Sequence, residues 1–324
     1  MKVAVDLMGG DQAPMAIYEG ALLAARELDI RIVLVGLPDA IRRTTKSGDP
    51  FEYIEAQEAI GMDESAAAAA HAKRRSSMHI CAELVRDKKV DAWVSAGNSG
   101  AILATSLLVQ GRIHGVQRPA IGTVFPTLTS YCYMLDVGAN ADCKPEYLLS
   151  FGLMGNEYAK KIMRIDVPRV GILSIGEEAG KGNELVKQAT ALFQDDKRLN
   201  FVGNVEPKEI FYGKADVVVT DGFTGNVALK MGEATAEMFL GMMRDVVRSS
   251  LLTMVGGFML SSALRKAMAR VDWRKFGGAP LLGIDGVVVV AHGRSDAEAF
   301  KSAIKVAKDA VDIDLVGAIR SAFQ

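Results

Sequence analysis

Short apolar runs alternate with helical patterns along almost the whole of this 324-residue chain, and this alternation restricts the fold more than any other feature. Arg169-Val170-Gly171-Ile172-Leu173-Ser174-Ile175 is a representative run, nearly continuous in apolar residues. Such a strand is buried on both faces, which implies parallel pairing under helices. Strands are expected at 2–6, 31–35, 51–55, 91–95, 119–125, 131–137, 169–175, 199–203, 215–220 and 287–291. Helices are expected at 14–28, 38–46, 66–88, 98–109, 145–163, 182–193, 222–248, 251–271, 295–310 and 313–323. Pro126-Thr127-Leu128-Thr129-Ser130 between two strands reads as a hairpin, and a hairpin among parallel strands marks a change of subdomain. The expected fold is α/β, a single unit over 1–324. It has two lobes around a cleft and a mostly parallel sheet covered by helices on both faces.

Apolar residues make up 49% of the chain, enough for a large core, and the net charge of −1 offers no global attraction to nucleic acid or an anionic membrane. Cys81, Cys132 and Cys143 have neither paired nor metal-type spacing, and their odd number points to a reducing compartment. The chain begins directly with a strand, Lys2-Val3-Ala4-Val5-Asp6, so no signal sequence is expected. The uncharged run 249–264 has 16 residues, short of the roughly 20 that a membrane-spanning helix needs. A cytoplasmic protein with no nucleic-acid partner is expected.

Strand ends in this chain repeatedly carry glycine with small polar residues. They are Asp6-Leu7-Met8-Gly9-Gly10-Asp11, Ser95-Ala96-Gly97-Asn98-Ser99-Gly100 and Asp136-Val137-Gly138-Ala139-Asn140. Ile175-Gly176-Glu177-Glu178 with Lys181-Gly182 follows, then Asp221-Gly222-Phe223-Thr224-Gly225-Asn226 with Lys230 about one helical turn onward. Gly277-Gly278-Ala279-Pro280-Leu281-Leu282-Gly283 is the sixth. Ligands of parallel α/β sheets bind outside the carboxyl ends of strands. A strand, a glycine turn and a helix start together present free N–H groups that attract an anion, and phosphate is the obvious candidate. The six loops are expected to line one polar cleft.

Familiar templates fail on spacing. Gly9-Gly10 does not fit the dinucleotide fingerprint, and 176–182 is one residue short of a P-loop, with Gly182 where a magnesium-binding hydroxyl belongs. Gly97-Asn98-Ser99-Gly100 is no nucleophile elbow, and His71, His79, His114 and His292 form no metal pattern. His292 ends a strand, where bonding to backbone is its expected use. Cys143 lies beside Asp142 and Lys144, but with no partner histidine it reads as a bystander thiol. Phosphate needs no activating base if it is itself the nucleophile. Positioning and preorganised donors then supply most of the catalysis.

In order and combination these motifs, together with Pro280-Leu281-Leu282-Gly283 and His292-Gly293, resemble the acyl-carrier-protein:phosphate acyltransferase family over nearly the whole chain. The resemblance implies a fold like that of phosphate acetyltransferases and isocitrate-type dehydrogenases, and a homodimer. It implies attack of inorganic phosphate on the thioester of a long-chain acyl carrier protein, in bacterial phospholipid synthesis. The acyl phosphate formed would pass to a membrane glycerol-3-phosphate acyltransferase. No metal or other cofactor is expected. Ala66 and His71 depart from the proline and arginine usual in that family, and His71 receives no role.

The catalytic candidates are Asn98, Asn140, Lys181 and Asn226. Lys181 and the N–H groups near Thr224, Gly225 and Asn226 are candidates for holding phosphate. Asn98 and Asn140 are expected to orient phosphate or donate to the carbonyl oxyanion. The wider binding set comprises Gly9, Gly10, Asp11, Ser95, Ser99, Gly138, Gly176, Gly182, Asp221, Thr224, Gly225 and Lys230. Asp11 and Asp221 repel phosphate, so they are expected to hold lysines and turns or to accept from protonated phosphate.

The segment 249–275 carries Leu251, Leu252, Val255, Phe258 and Met259 near helical spacing, a bend at Gly256-Gly257, and the basic residues Arg265, Lys266 and Arg270. It is read as a dimer, carrier-protein or peripheral membrane contact. Two other classes compete with the acyltransferase: an isocitrate-type NAD-dependent dehydrogenase, and a non-enzymatic module that binds phosphate or a lipid precursor.

Overall fold

The computed structural model describes the backbone of residues 1–271 and 277–324, and their side chains apart from those of 262–271. The strands are β1 (Lys2–Asp6), β2 (Arg31–Gly36), β3 (Phe51–Glu55), β4 (Ala92–Ser95), β5 (Ala120–Pro126) and β6 (Tyr131–Leu135). They continue with β7 (Arg169–Leu173), β8 (Asn200–Val205), β9 (Val217–Val219), β10 (Gly278–Leu282) and β11 (Val287–Ala291). Among the described residues they form one 11-stranded sheet in the order β3-β2-β1-β4-β11-β10-β5-β6-β9-β7-β8. The apolar runs behave as their composition requires. Val217, Val218 and Val219 of β9 are fully buried, as are Val3, Ala4 and Val5 of β1.

Two parallel blocks make up the sheet. β3, β2, β1, β4 and β11 run together, and so do β6, β9, β7 and β8. Between them, β11 to β10, β10 to β5 and β5 to β6 are antiparallel. The expected hairpin at 126–130 is the β5–β6 connection. Three reversals are an odd number, so the two blocks run in opposite directions and their carboxyl ends point opposite ways along the sheet.

Helices cover both faces. They are α1 (Met15–Glu27), α2 (Pro38–Thr44), α3 (Ala66–Ala72), α4 (Ser77–Arg86), α5 (Ser99–Val109) and α6 (Pro145–Lys161). The others are α7 (Glu184–Asp195), α8 (Pro207–Tyr212), α9 (Gly222–Arg248), α10 (Leu251–Val271), α11 (Ala297–Asp312) and α12 (Leu315–Ala322). One apolar cluster crosses both blocks. It joins Trp93, Val288, Met134 and Val218 of the sheet to Met78 of α4, Ile102 of α5 and Leu229 of α9. The opposite face is divided. Val5, Ile32 and Val94 pack with Tyr18 of α1 and Phe300 of α11, whereas Tyr133, Leu135 and Ile172 pack with Phe151 of α6 and Phe193 of α7.

Three expectations are corrected, and one short helix is new. The span 277–283 is not a loop over a cleft, because 278–282 forms the central strand β10. Its glycines and proline disguise a strand whose pairing is set by its neighbours. The helix expected at 66–88 is two helices, because Ser76 takes a β conformation and its hydroxyl caps α4 by accepting from His79 N. The short helix α8 begins at Pro207 and was not expected; Glu206 and Glu209 form its capping box. The break between α9 and α10 lies at 249–250, as expected, with Ser250 Oγ accepting from Thr253 N, but the bend expected at Gly256-Gly257 is not there, because α10 continues through both.

Trp93 is fully buried on β4 of the first block, and its indole N–H donates to Gln110 Oε1 at 3.0 Å. Trp93→Ala is expected to cost about 3–5 kcal/mol. Urea unfolding should show a lower midpoint at unchanged slope, and a loss under about 1 kcal/mol would contradict this packing.

Candidate active site

The strand-end loops are built around two buried aspartates. Asp6 ends β1, is wholly inaccessible, and accepts from Met8 N at 3.1 Å and from Ser95 Oγ at 2.6 Å. Ser95 Oγ accepts in turn from Gly97 N at 3.0 Å. One carboxylate thereby ties the end of β1 to the end of β4. Burial pushes the Asp6 carboxyl above its ordinary range, against the pull of these hydrogen bonds. Asp11 N donates to Gly293 O at 2.8 Å, which brings the loop after β11 to the same place. Gly9, Gly10, Asp11, Ser95 and Ser99 belong to this group, with Asp11 and Ser99 exposed.

Asp136 follows β6 and plays the corresponding part in the second block. Its Oδ1 accepts from Ile121 N, Gly138 N and Ala139 N at 3.0–3.1 Å. Its Oδ2 accepts from Asn140 N at 2.7 Å and from Asn140 Nδ2 at 2.9 Å. The start of α9 is laid against this turn, with Gly222 N donating to Asn140 O at 2.7 Å. A side chain at Gly225 would collide with the main-chain oxygen of Asp136, so only glycine permits the approach. The group contains Gly138, Asn140, Asp221, Thr224, Gly225 and Asn226.

The β7–α7 loop forms a third group. Lys181 N donates to Glu178 O at 2.9 Å, and Asn204 Nδ2 binds the same carbonyl at 2.9 Å. The Lys181 side chain lies across Gly176, and Gly182 stands at positive φ beside Ser174. Glu177 faces Lys214 at 3.4 Å. By their hydrogen bonds five of the six loops fall into three sets, and the sixth is absorbed into the sheet as β10.

Several expected donors are already engaged. Asn98 Nδ2 donates to Met62 O and Glu64 O at 2.9 and 3.2 Å, while its Oδ1 caps α5 by accepting from Ala101 N. Asn140 Nδ2 donates to Pro119 O at 2.8 Å as well as to Asp136. An amide has two N–H bonds, so neither asparagine retains one for an oxyanion. The anticipated N–H array at α9 is closed in the same way. Asp221 Oδ1 accepts from Thr224 N, its Oδ2 accepts from Thr224 Oγ1, and its backbone oxygen accepts from Gly225 N. Residue types that attract anions are also the ones that cap helices.

Asn226, Lys230 and Lys181 contrast with these. None has a side-chain hydrogen bond or ion pair among the described residues. The amide of Asn226 stands opposite Gly138, where the β6–α6 turn meets α9. Asn226 and Lys230 are four residues apart on one helix and share a face. Cys143 is a poor nucleophile: burial, reinforced by the Asp136 charge, pushes its thiol up to about 12. His292 Nδ1 accepts from Arg294 N at 3.1 Å, the expected backbone use. The side chains of Arg265, Lys266 and Arg270 lie outside the described residues. Sequence reasoning missed Asp6 and Asp136 as the organising groups. The available signal was an aspartate at a strand end followed by a glycine turn.

A raised carboxyl in the folded state binds its proton more tightly than in the unfolded chain. Its stabilising contribution is therefore complete below the ordinary value of about 3.9 and is lost as pH rises through the folded value. Asp6→Asn should flatten the fall in stability that the unmodified protein shows as pH rises above the ordinary carboxyl value of about 3.9, read by urea unfolding at stepped pH. Parallel profiles would show that Asp6 does not titrate in that range.

Comparison with known proteins places this geometry. A family model described as fatty acid synthesis protein matches residues 1–317. A phosphate acyltransferase of Dictyoglomus turgidum is 44% identical over 97% of this chain and 95% of its own. One from Desulforudis audaxviator is 46% identical over 98% of this chain and 95% of its own. A branched-chain phosphotransacylase from Enterococcus faecalis shares the fold, with a TM-score of 0.62 at 13% identity over 96% of this chain and 99% of that one. The chain belongs to the fatty acid synthesis protein family, the family of the phosphate acyltransferases.

Proposed function

We propose that this acyltransferase moves a long-chain acyl group from acyl carrier protein to inorganic phosphate, releasing acyl phosphate and the carrier thiol. The observation that carries this reading is the set of unpartnered donors Asn226, Lys230 and Lys181, beside turns that contain no activated side-chain nucleophile. A phosphate oxygen attacks the thioester carbonyl, the oxyanion forms, and its collapse expels the carrier thiolate. A thiol pKa near 8–9 lets that group depart without a strong acid. Asn226 donates to phosphate, and the two ammonium groups balance its charge. Asn98 and Asn140 act by shaping their loops. The acyl phosphate would be consumed by a membrane glycerol-3-phosphate acyltransferase.

The α9–α10 pair supports a further reading. Met231, Met238 and Phe239 on α9 are 60–67% exposed, and Leu251, Leu252, Phe258 and Met259 on α10 are 78–83% exposed. Among the described residues no helix is long and apolar enough to cross a membrane. An apolar face of this extent marks an interaction surface. We read it as the seat of a second copy of the chain, with Leu251 and Leu252 at the turn touching the membrane that holds the next enzyme.

Acyl carrier protein thioester incubated with phosphate should release carrier thiol in proportion to phosphate, and release independent of phosphate would overturn the assignment. Lys230→Met and Lys181→Met should each raise the phosphate KM about tenfold, the loss of one charge-assisted hydrogen bond. For the surface, light scattering should give twice the chain mass, and Leu251→Glu with Leu252→Glu should abolish sedimentation with anionic vesicles. A monomeric mass, or vesicle binding that survives the substitutions, would count against the respective contact.

A further inference from the structure

We propose that Asp136 is the positioning residue of the phosphate site, joining the β6–α6 turn to the first turn of α9. The inference rests on the phosphate reading above. The sequence placed Gly138 in the binding set and Asn140 among the catalytic candidates, with glycine turns of this kind expected to offer N–H groups to an anion. They instead receive a carboxylate of the chain itself, since Gly138 N, Ala139 N and Asn140 N all donate to Asp136. Ile121 N at the start of β5 donates to the same group, and so does the Asn140 amide. Asp136 is wholly buried and has no cationic partner among the described residues. Five N–H bonds therefore hold its charge in place.

What these bonds fix is the seat of α9. Asn140 O accepts from Gly222 N, the first residue of the helix. A side-chain carbon at Gly222 would stand 2.8 Å from Asp136 Oδ2 and 2.7 Å from Asn140 O. Gly225 is pressed on the main-chain oxygen of Asp136. The helix start therefore rests on the aspartate turn at two successive glycines. Asn226 is the next residue, and Lys230 is one turn beyond. A change in the Asp136 turn must shift or tilt the helix that carries both donors. Its effect should fall on phosphate rather than on the acyl donor, which distinguishes positioning from general support of the fold.

The test is Asp136→Asn, which keeps shape but places an NH2 group where N–H donors converge. Phosphate KM should rise about tenfold to a hundredfold, the scale of a small misplacement of reacting groups. KM for the acyl carrier thioester should stay within about twofold, and the circular dichroism spectrum should be unchanged. Asn140→Ala, which removes the amide link alone, should raise phosphate KM in the same direction. The double variant should be no worse than Asp136→Asn, because the two residues act as one unit. An unchanged phosphate KM in folded Asp136→Asn overturns the proposal. So does an equal loss toward both substrates. If Asp136→Asn does not fold, Asn140→Ala decides by the same criterion. Absence of phosphate-dependent thiol release from the unmodified protein brings down the phosphate reading and this inference together. Release with an unaltered phosphate KM in the variants brings down this inference alone.

Discussion

Two buried carboxylates, with no cationic partner among the described residues, set the terms for the strand-end loops of this protein. Removing a charge from water costs several kcal/mol unless hydrogen bonds replace its hydration. At Asp136 five N–H bonds do so, and at Asp6 a serine hydroxyl and one backbone N–H contribute. The donors come from several elements, so satisfying each carboxylate also fixes those elements relative to one another. Asp6 ties β1 to β4, while Asp136 ties β5, the turn after β6 and the start of α9. Such networks are costly when only partly satisfied, which makes each loop conformation an all-or-none arrangement.

The sheet that carries these loops is continuous but changes direction. Its central antiparallel strands, β10 and β5, join two parallel blocks of opposite sense. On one face the two blocks share an apolar cluster that includes residues of α5 and α9. On the other face each block has its own helices and its own cluster. The shared face couples the two helices that begin at the Asn98 and Asp221 loops, whereas the divided face gives each block its separate packing.

This organisation suits chemistry in which the enzyme's side chains remain uncommitted covalently. The thiols are buried or raised, and most polar side chains around the turns bind backbone. Asn226, Lys230 and Lys181 have no side-chain hydrogen bond or ion pair among the described residues, whereas Asp221 and Asn140 are occupied in holding the frame. Family membership separates the chain from the dehydrogenase and non-enzymatic alternatives, and the engaged neighbours explain how few donors are left to meet a substrate.

The sequence by itself determined the layered α/β architecture. Continuous apolar runs separated by helical periodicity have no other economical burial, and the β5–β6 hairpin was legible from local turn chemistry. It did not reveal β10, because glycine and proline obscure a strand whose identity depends on the partners β5 and β11. It drew attention to the strand ends but did not reveal which partners their polar side chains take. Asn98 and Asn140 have the composition of anion-binding groups, yet only the folded chain brings the carbonyls of Met62 and Pro119 within their reach. A polar side chain takes the nearest partner, and that partner is selected by contacts remote in sequence. The tertiary structure alone decided which donors are consumed in building the loops and which have no side-chain partner among the described residues.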